Sequence, residues 1–380
     1  MSVTKLAIPE IIFGRGAMVH VGQCARRLGA KKVLLVSDPG LERSGWVDRV
    51  SRILEDENLE WEYYGDVNSN PRDFQVSQGA LTYRETGADV IIAIGGGSPI
   101  DAAKGIAILA GNGGTIADYE GANRVERPLP PMIFLPTTAG SGSDISQFCI
   151  ITDVARKLKM AIISRSLVPN ISIIDPLILL TKSPELISAS AIDALAHAVE
   201  SYVSTIASPF TELQSLQAIE LILKNLKPAV EERSIDALEQ LSIASTAAGM
   251  AFSNASLGAG HALAHSLGGM FDILHGLVHP ILLPAVMRFN TPAVTKKMGI
   301  IGRLILGDGQ ACDEHFAYAV IEKLREFFAQ FGVPLRLRDI LPDNSSLERL
   351  ARAAVGDACN VTNPRVADVK GLLGICEEAW

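Results

Sequence analysis

Residues 89–104 read DVIIAIGGGSPIDAAK, in which an apolar run at 89–94 stops at three consecutive glycines. The run predicts a buried strand, and a helix is predicted to begin at once, with Ser98 as its N-cap and Pro99 as its first residue. Glycines let backbone N–H groups approach a phosphate closely, and a helix N-terminus carries partial positive charge. The stretch is therefore predicted to hold the pyrophosphate of a nucleotide, although a tight strand-to-helix turn without a ligand would use the same residue types.

Three other apolar runs in the first half of the chain have the same character. They lie at residues 32–37, 132–135 and 171–174, and each is followed by turn residues. Short strands separated by helical stretches are typical of βαβ units and a mostly parallel sheet, whose ligands bind beyond the carboxyl ends of the strands. The first half is predicted to be α/β.

Asp38 directly follows the run at 32–37. An acid at that position can accept hydrogen bonds from ribose hydroxyls and repel a 2′-phosphate, which favours NAD(H) over its phosphorylated form. An Asx turn before Pro39 would use the same residue, so both interpretations stay open.

From about Ser183 onward the sequence is rich in alanine and leucine at helical spacing, for example at residues 189–203, 210–226, 235–250 and 315–331. No strand pattern of comparable quality remains there. A chain of 380 residues also exceeds the length at which a single core usually stops growing. We therefore predict an α/β domain at residues 1–180 and an all-α domain at 181–380, with a functional site in the cleft between them.

The composition excludes several classes of protein. Hydrophobic residues make up 48% and charged residues 20%, which is ordinary for a globular chain. The net charge of -8, without a basic cluster, argues against nucleic acid as a partner. No apolar run is long enough to span a membrane, and residues 1–12 resemble neither a signal nor a transit peptide. The five scattered cysteines suit free thiols, so we predict a cytoplasmic protein.

Histidines are concentrated in one part of the second half. The chain has seven, and four of them lie within residues 258–280, at positions 261, 265, 275 and 279. Upstream, Asp193 and His197 are four residues apart in a helical stretch and share one face. Any one of these histidines alone would be read as a packed core residue, but the set indicates a metal site. Carboxylate and imidazole without thiolate suit Fe(II), Zn(II) or another first-row divalent ion.

The spacing does not select the ligands. His261 with His265, and His275 with His279, are both i,i+4 pairs that could each present two nitrogens to an ion.

Several motifs carry a family resemblance. They are GGGSP at 95–99, PTTAG at 136–140, DALAHAVE at 193–200, AFSNASLGAGHALAH at 251–265, HGL at 275–277 and ILLP at 281–284. Together they resemble the iron-containing (group III) alcohol dehydrogenases, and the similarity extends from residue 13 to residue 365. The segments at 148–153 and 159–161 look most like the 1,3-propanediol dehydrogenase and lactaldehyde reductase branch.

The resemblance implies a Rossmann-like N-terminal domain, an all-helical C-terminal domain in a dehydroquinate synthase-like architecture, and a homodimer or larger homo-oligomer. It implies one divalent ion, with Fe(II) favoured and Zn(II) as the alternative. The implied metal ligands are Asp193, His197, His261 and His275.

Further roles are implied by position. His265 would lie beside the metal as the catalytic residue, and Phe252 and Phe148 would line the substrate pocket. The implied cofactor contacts are Asp38, Asn70, Gly96, Gly97, Ser98, Thr137, Thr138, Ser141, Ile150 and Lys159.

The chain departs from the family pattern in three places. Ser141-Gly-Ser-Asp144 stands where the family usually has Thr-Gly-Ser-Glu, which keeps the hydroxyl and the acid but shortens both. Ala191-Ile192 stands before Asp193 where glycine is common, and His279-Pro280 stands where Asn-Ala is common. The last two changes flank the metal site and bear on the choice of substrate and metal.

The implied reaction is hydride transfer between NAD(H) and a small primary alcohol or aldehyde, such as a diol, a hydroxyaldehyde or a small anionic aldehyde. The metal would polarise the alcohol oxygen, and His265 or water would supply the proton in the reductive direction. Glycerol-1-phosphate dehydrogenase and dehydroquinate synthase, a lyase that uses NAD only transiently, share the scaffold and are the alternatives. A non-enzymatic binding protein is disfavoured, because the cofactor and metal motifs occur together.

Overall fold

A computed structural model describes residues 5–307 and 309–380. Residues 1–4, which begin the stretch predicted to be neither a signal nor a transit peptide, lie outside the described residues. The chain divides into two compact units, one comprising Ala7–Lys182 and the other built on Ser183–Trp380.

All strands of the described residues belong to the first unit: β1 (Glu10–Phe13), β2 (Lys32–Val36), β3 (Glu60–Tyr64), β4 (Val90–Gly95), β5 (Gly121–Ala122), β6 (Met132–Pro136), β7 (Phe148–Asp153), β8 (Leu158–Ile163) and β9 (Ile171–Ile174). Its helices are α1 (Val21–Arg27), α2 (Pro39–Arg43), α3 (Trp46–Asp56), α4 (Asp73–Thr86) and α5 (Gly97–Asn112).

Six strands form a parallel sheet in the order β1-β9-β6-β4-β2-β3. Alternate residues of one strand enter different cores, because Leu34 and Ile91 belong to one hydrophobic cluster and Leu35 and Ile92 to another. Burial of both faces explains why these strands are continuous apolar runs rather than alternating ones. The predicted α/β class is confirmed.

The order of strands identifies the ligand edge of the sheet. From β2 the chain moves outward to β3, then returns to β4 on the other side of β2 and continues through β6 to β9. The direction of travel therefore reverses between β2 and β4. Open α/β sheets bind ligands at such a switch point, beyond the carboxyl ends of the strands. Asp38 follows β2 and the glycine turn follows β4, so the two predicted cofactor elements flank this point.

A second, smaller sheet has the order β5-β8-β7, with β7 and β8 paired as an antiparallel hairpin. The hairpin carries Ile150 on β7 and Lys159 on β8, two register positions apart, since Ile150 pairs with Ala161 and Thr152 pairs with Lys159. Sequence analysis identified these segments only by their family resemblance.

The second unit is helical throughout its described part: α6 (Pro184–Val203), α7 (Pro209–Glu231), α8 (Ile235–Ala255), α9 (Ala259–Phe271), α10 (His279–Leu306), α11 (Asp313–Phe328), α12 (Leu347–Val355) and α13 (Val369–Ala379). A short 3-10 helix, His275–Leu277, precedes α10. The predicted all-α character of this half is confirmed. Among the described helices none has the length and apolarity needed to cross a membrane. All five cysteines are free thiols.

Candidate active site

Helix α6 places three functional side chains on one face. The helix begins where Ser183 Oγ accepts a hydrogen bond from the N–H of Leu186 (3.3 Å) and Pro184 takes the first position. Asp193, His197 and Glu200 follow at intervals of four and three residues, which is the spacing of one helical face. All three are buried.

Four histidine nitrogens surround the Asp193 carboxylate. The distances from Asp193 Oδ1 to Nε2 are 3.1 Å for His279, 3.7 Å for His261, 3.8 Å for His275 and 4.0 Å for His197. Ligands about 2.1 Å from one ion lie about 3.4 Å apart in a tetrahedron. The separations in this cluster bracket that value.

The residues fit a divalent ion. Asp193 Oδ1 and His261 Nε2 are buried, and within the described part of the chain neither has a hydrogen-bonding partner. Leaving a buried polar atom unsatisfied costs about 1–3 kcal/mol, and more for a charged group. Burial raises the pKa of the Asp193 carboxyl, but the surrounding histidines, with His197 the strongest of them, together outweigh burial and hold that pKa well below its usual range. The site therefore offers an ionised carboxylate and imidazole nitrogens to a cation.

Glu200 orients His261. Its carboxylate accepts hydrogen bonds from the N–H of Gly260 (2.7 Å) and from the N–H and ring Nδ1 of His261. With Nδ1 directed to Glu200, Nε2 is the ring atom that faces Asp193, and it is the atom that a cation would bind. A Cβ at Gly260 or at Gly258 would lie 2.9 Å from Glu200 Oε1, so both positions need glycine for this approach.

A glycine also brings His275 to the cluster. A Cβ at Gly276 would lie 2.8 Å from the carbonyl oxygen of Ala189, and without one the 3-10 helix packs directly against α6. The ring of His275 then stacks on that of His265, with centroids 5.6 Å apart and an interplanar angle of 18°.

His265 is held by a carboxylate of its own. Its Nδ1 lies 2.8 Å from Asp357 Oδ2, and both side chains are largely buried. Burial raises the pKa of Asp357, but His265 and the hydrogen bonds from Cys359 together outweigh burial and lower that pKa below its usual range. An ionised Asp357 fixes the proton of His265 on Nδ1 and leaves Nε2 as the acceptor.

The ring of His197 stacks on that of Phe252, with centroids 4.4 Å apart at 21°, and on that of His261, at 4.4 Å and 23°. Phe252, on α8, is buried. Phe148 begins β7 in the first unit and is also buried there, so each aromatic residue is fixed within its own unit.

The glycine turn differs in detail from its prediction. Helix α5 begins at Gly97 with Gly96 as N-cap, so the prediction of Ser98 as N-cap and Pro99 as first residue is wrong by two positions. The reason is that Ser98 Oγ accepts a hydrogen bond from the N–H of Asn70 (3.2 Å) instead of capping its own helix. Two predicted cofactor contacts, Asn70 and Ser98, are joined in this way.

Three other predicted cofactor contacts, Thr137, Thr138 and Ser141, lie next to the glycines. A Cβ at Gly96 would lie 3.3 Å from Thr138 Cγ2, and one at Gly97 would lie 3.1 Å from Ser141 Cβ. The N–H of Thr137 donates to the carbonyl of Gly95 (2.9 Å).

Asp38 caps a helix, because its Oδ1 accepts from the N–H groups of Gly40 (2.8 Å) and Leu41 (3.1 Å) at the start of α2. The Asx-turn interpretation is therefore realised, and it leaves contact between Asp38 and a ribose as a prediction.

Helix α5 also carries a buried lysine, Lys104, and a buried aspartate, Asp101. Lys104 Nζ donates to the carbonyls of Ser146 (2.6 Å) and Phe148 (2.7 Å), which ties α5 to the start of β7. Burial raises the pKa of Asp101 to about 6, although Lys104 partly offsets the effect of burial.

The segment Ser141–Asp144, which departs from the family pattern, is tied to the sheet. Asp144 Oδ2 accepts a hydrogen bond from Ser172 Oγ on β9 (2.6 Å), so the shortened acid anchors this loop.

The chain matches two family models. One, described as "Iron-containing alcohol dehydrogenase", matches residues 9–176, and the other, "Fe-containing alcohol dehydrogenase family, C-terminal", matches residues 187–380. The chain belongs to the iron-containing alcohol dehydrogenase family. It is therefore an enzyme of an oxidoreductase family, as the sequence motifs predicted.

Individual proteins support this membership. This iron-containing alcohol dehydrogenase is 39% identical to "Alcohol dehydrogenase 4" of Schizosaccharomyces pombe, covering 96% of the chain and 86% of that protein. It is 35% identical to "NAD-dependent methanol dehydrogenase" of Bacillus methanolicus, covering 98% of each. A solved structure of a "1,3-propanediol oxidoreductase" superposes with a TM-score of 0.96 at 36% identity over 100% of both chains. These comparisons favour the dehydrogenase over the lyase and glycerol-1-phosphate alternatives.

Two carboxylates and one histidine of the cluster in this iron-containing alcohol dehydrogenase were given no role by the sequence motifs. The spacing of Glu200, seven residues after Asp193, could have placed it on the same helix face. Asp357 lies 92 residues from His265, and no local pattern links them. His279 was considered only as a member of an i,i+4 pair, yet its Nε2 lies nearest to Asp193 among the four nitrogens.

Proposed function

We propose that this chain transfers hydride between NAD(H) and a small primary alcohol or aldehyde, using one divalent metal ion. The observation that carries the proposal is the buried cluster around Asp193, in which a carboxylate oxygen and imidazole nitrogens converge while Asp193 Oδ1 and His261 Nε2 have no hydrogen-bonding partner among the described residues. A glycine turn at the switch point of the sheet supplies the complementary nucleotide site.

The cofactor is proposed to be NAD(H). The pyrophosphate would lie on the N–H groups of Gly96 and Gly97 at the start of α5, where the helix dipole favours negative charge. Asp38 would accept from the ribose with its second carboxylate oxygen and repel a 2′-phosphate. One relative is itself named as NAD-dependent, which supports this choice.

The ion is proposed to be Fe(II), as the family description suggests, held by Asp193, His197, His261 and His275. When bound, it supplies Lewis acidity that polarises the oxygen of the alcohol or aldehyde. Glu200 holds His261 in the tautomer that presents Nε2.

His265 is the proposed proton carrier. With its proton fixed on Nδ1 by Asp357, Nε2 can accept the proton of an alcohol, and in the reverse direction it can return one. Phe252 stacks on His197 and would provide an apolar wall beside the reacting carbon.

The substrate is proposed to be a small diol or hydroxyaldehyde. A solved structure that covers the whole chain is named as a 1,3-propanediol oxidoreductase. We also propose that the protein acts as a homodimer or larger homo-oligomer.

The test is NADH oxidation by protein purified anaerobically and reconstituted with Fe(II), with Zn(II) or with no metal. Substrates are 3-hydroxypropanal, lactaldehyde and a sulfonated aldehyde. We expect turnover that depends on the metal and is fastest with Fe(II). Asp193→Ala and His275→Ala should lose both metal and turnover, whereas His315→Ala, at an exposed position on α11, should keep both. Full metal content in Asp193→Ala, or turnover without metal, would overturn the proposal.

A further inference from the structure

We propose that His279 is a direct ligand of the metal ion, in addition to the four residues that the family resemblance implies. His279 is the first residue of α10 and is 1% exposed. The inference rests on the proposed function, because it concerns the same ion, but it assigns a ligand that the motifs do not.

The distances place His279 inside the cluster. Its Nε2 lies 3.1 Å from Asp193 Oδ1 and 3.3 Å from His275 Nε2. Neighbouring ligands about 2.1 Å from an ion are about 3.0 Å apart in an octahedron and about 3.4 Å apart in a tetrahedron. Both distances that involve His279 therefore have the spacing of neighbouring ligands, while the third side of the triangle, from Asp193 Oδ1 to His275 Nε2, is 3.8 Å.

The mutual grouping of donor atoms supports the same assignment. One ligand atom each from Asp193, His261, His275 and His279 lies within 4.8 Å of all the others. His197 is not a member of that tightest group, and its Nε2 lies farther from Asp193 Oδ1, at 4.0 Å. By this measure His279 is better placed than one of the implied ligands.

A hydrogen bond from His279 does not explain the contact with Asp193. Although 3.1 Å is within hydrogen-bonding distance, Asp193 Oδ1 has no hydrogen-bond donor among residues 5–307 and 309–380. The N–H direction of the ring is therefore not aimed at the carboxylate oxygen. His279 Nε2 instead lies within hydrogen-bonding distance of His275 Nε2, at 3.3 Å. A cation bound to both nitrogens would replace that contact and would also satisfy Asp193 Oδ1.

Packing fixes the His279 ring in this position. The ring lies against His261, with centroids 4.3 Å apart at 34°, and meets the edge of His275 at 4.8 Å and 82°. Pro280 follows in the first turn of α10 and restricts the backbone there. The ring is held by neighbours that are themselves at the metal site.

The consequence is a five-donor site of one carboxylate and four imidazoles. Six-coordinate ions would keep one position for the oxygen of the substrate, whereas zinc usually takes four ligands in a tetrahedron. His279 would thus favour Fe(II) or another ion of octahedral preference.

The experiment uses the full-length protein loaded with Co(II), a paramagnetic probe ion. Each coordinated imidazole with a proton on Nδ1 gives a strongly shifted, exchangeable N–H signal in the proton NMR spectrum. We expect one such signal for each of the four histidines in the wild type, and the loss of one in His279→Asn. The visible Co(II) absorption should be weak in the wild type and stronger in the variant, as coordination number falls.

Affinity is the second readout. In chelator competition, His279→Asn should bind Co(II) more weakly by more than the about 10- to 100-fold that loss of an outer hydrogen-bonding partner costs. His315→Asn makes the same change at an exposed histidine of the same unit and should match the wild type. His279→Gln, which keeps a longer polar side chain, replaces the Asn variant if the latter does not fold.

The outcomes separate the two proposals. If the wild type binds Co(II), and the His279 variant keeps every shifted signal and the wild-type affinity, then His279 is not a ligand and the proposed function stands. If the wild type binds neither Co(II) nor Fe(II), the proposed function fails as well.

Discussion

Glu200 and His261 share a hydrogen bond between a carboxylate oxygen and ring Nδ1, and the same carboxylate accepts from two consecutive N–H groups at the start of α9. One side chain of α6 thus fixes both the backbone and the ring of a proposed metal ligand on another helix. A carboxylate partner raises the basicity of such a histidine.

We expect Glu200→Gln to weaken metal binding. Glutamine keeps the size of the side chain but has only one oxygen to accept the hydrogen bonds of Gly260 and His261. Its NH₂ group would face a donor, so the ring of His261 loses the acceptor that orients it. The dissociation constant for Fe(II) should rise about 10- to 100-fold in chelator competition. Glu220→Gln, at an exposed ion pair with Lys224 on α7, is the matched control. Equal affinities for Glu200→Gln and the wild type would remove Glu200 from the site.

Asp357→Asn should slow proton transfer without loss of metal. Asp357 Oδ2 lies 2.8 Å from His265 Nδ1. The neutral amide of asparagine lacks the negative charge with which Asp357 favours a proton on that nitrogen. We expect kcat to fall about 100-fold, the lower end of what general acid–base catalysis contributes.

The pH dependence of kcat distinguishes this positioning role from a structural one. It should shift in Asp357→Asn, while metal content and the KM for NADH stay unchanged. Asp343→Asn, at an exposed acid, provides the control. An unchanged pH profile together with lost metal would instead show that Asp357 only supports the fold.

Gly96→Ala should weaken NADH binding while leaving the fold intact. The backbone of Gly96, with φ -73° and ψ -161°, is accessible to alanine, but the new methyl group would lie 3.3 Å from Thr138 and intrude where a phosphate would lie. Fluorescence titration should give a dissociation constant for NADH raised about 10-fold, or about 1.4 kcal/mol. Gly374→Ala, where a Cβ meets no atom within 4 Å, should leave NADH binding unchanged. Wild-type affinity in Gly96→Ala would place the phosphates elsewhere.

The buried Asp101 predicts a stability difference that depends on pH. Burial raises its pKa in the folded protein from 3.8 to about 6, so the folded state binds this proton more tightly than the unfolded chain. Its contribution to stability is therefore fully present below pH 3.8 and declines as pH rises toward 6. Relative to Asp101→Asn, the wild type should lose at most about 3 kcal/mol across this range.

Urea denaturation in EDTA, from pH 4 to pH 8, measures this difference free of metal effects. Asp56→Asn, at an exposed acid on α3, reports the general effect of removing one charge. A difference between wild type and Asp101→Asn that does not change between pH 4 and pH 6 would contradict the assignment.

Local patterns predicted the elements better than the contacts between them. The run at 171–174 coincides with β9, and the Ala-rich stretch at 189–203 lies within α6, because burial on two sheet faces or one helix face leaves a periodic trace in sequence. Ser98 was misjudged because its hydroxyl binds the backbone of Asn70, 28 residues away. A hydrogen bond from a distant residue to a potential capping side chain leaves no periodic pattern in the sequence.

The same limit applies to the site. Helical spacing predicted that Asp193 and His197 would share a face, and they do. The choice among four clustered histidines depended on three separate elements, α9, a 3-10 helix and the start of α10, whose convergence follows from packing and not from spacing. The assignment of Asp193, His197, His261 and His275 as the metal ligands remains a prediction.

Every residue proposed to hold the metal lies after Ser183, and every residue proposed to hold the nucleotide phosphates lies before it. Selection for a different ion and selection for a different nucleotide would therefore act on separate, contiguous halves of the chain. A single exchange near residue 183 could pair the metal preference of one relative with the nucleotide preference of another, which makes chimaeras joined there a direct route to new combinations.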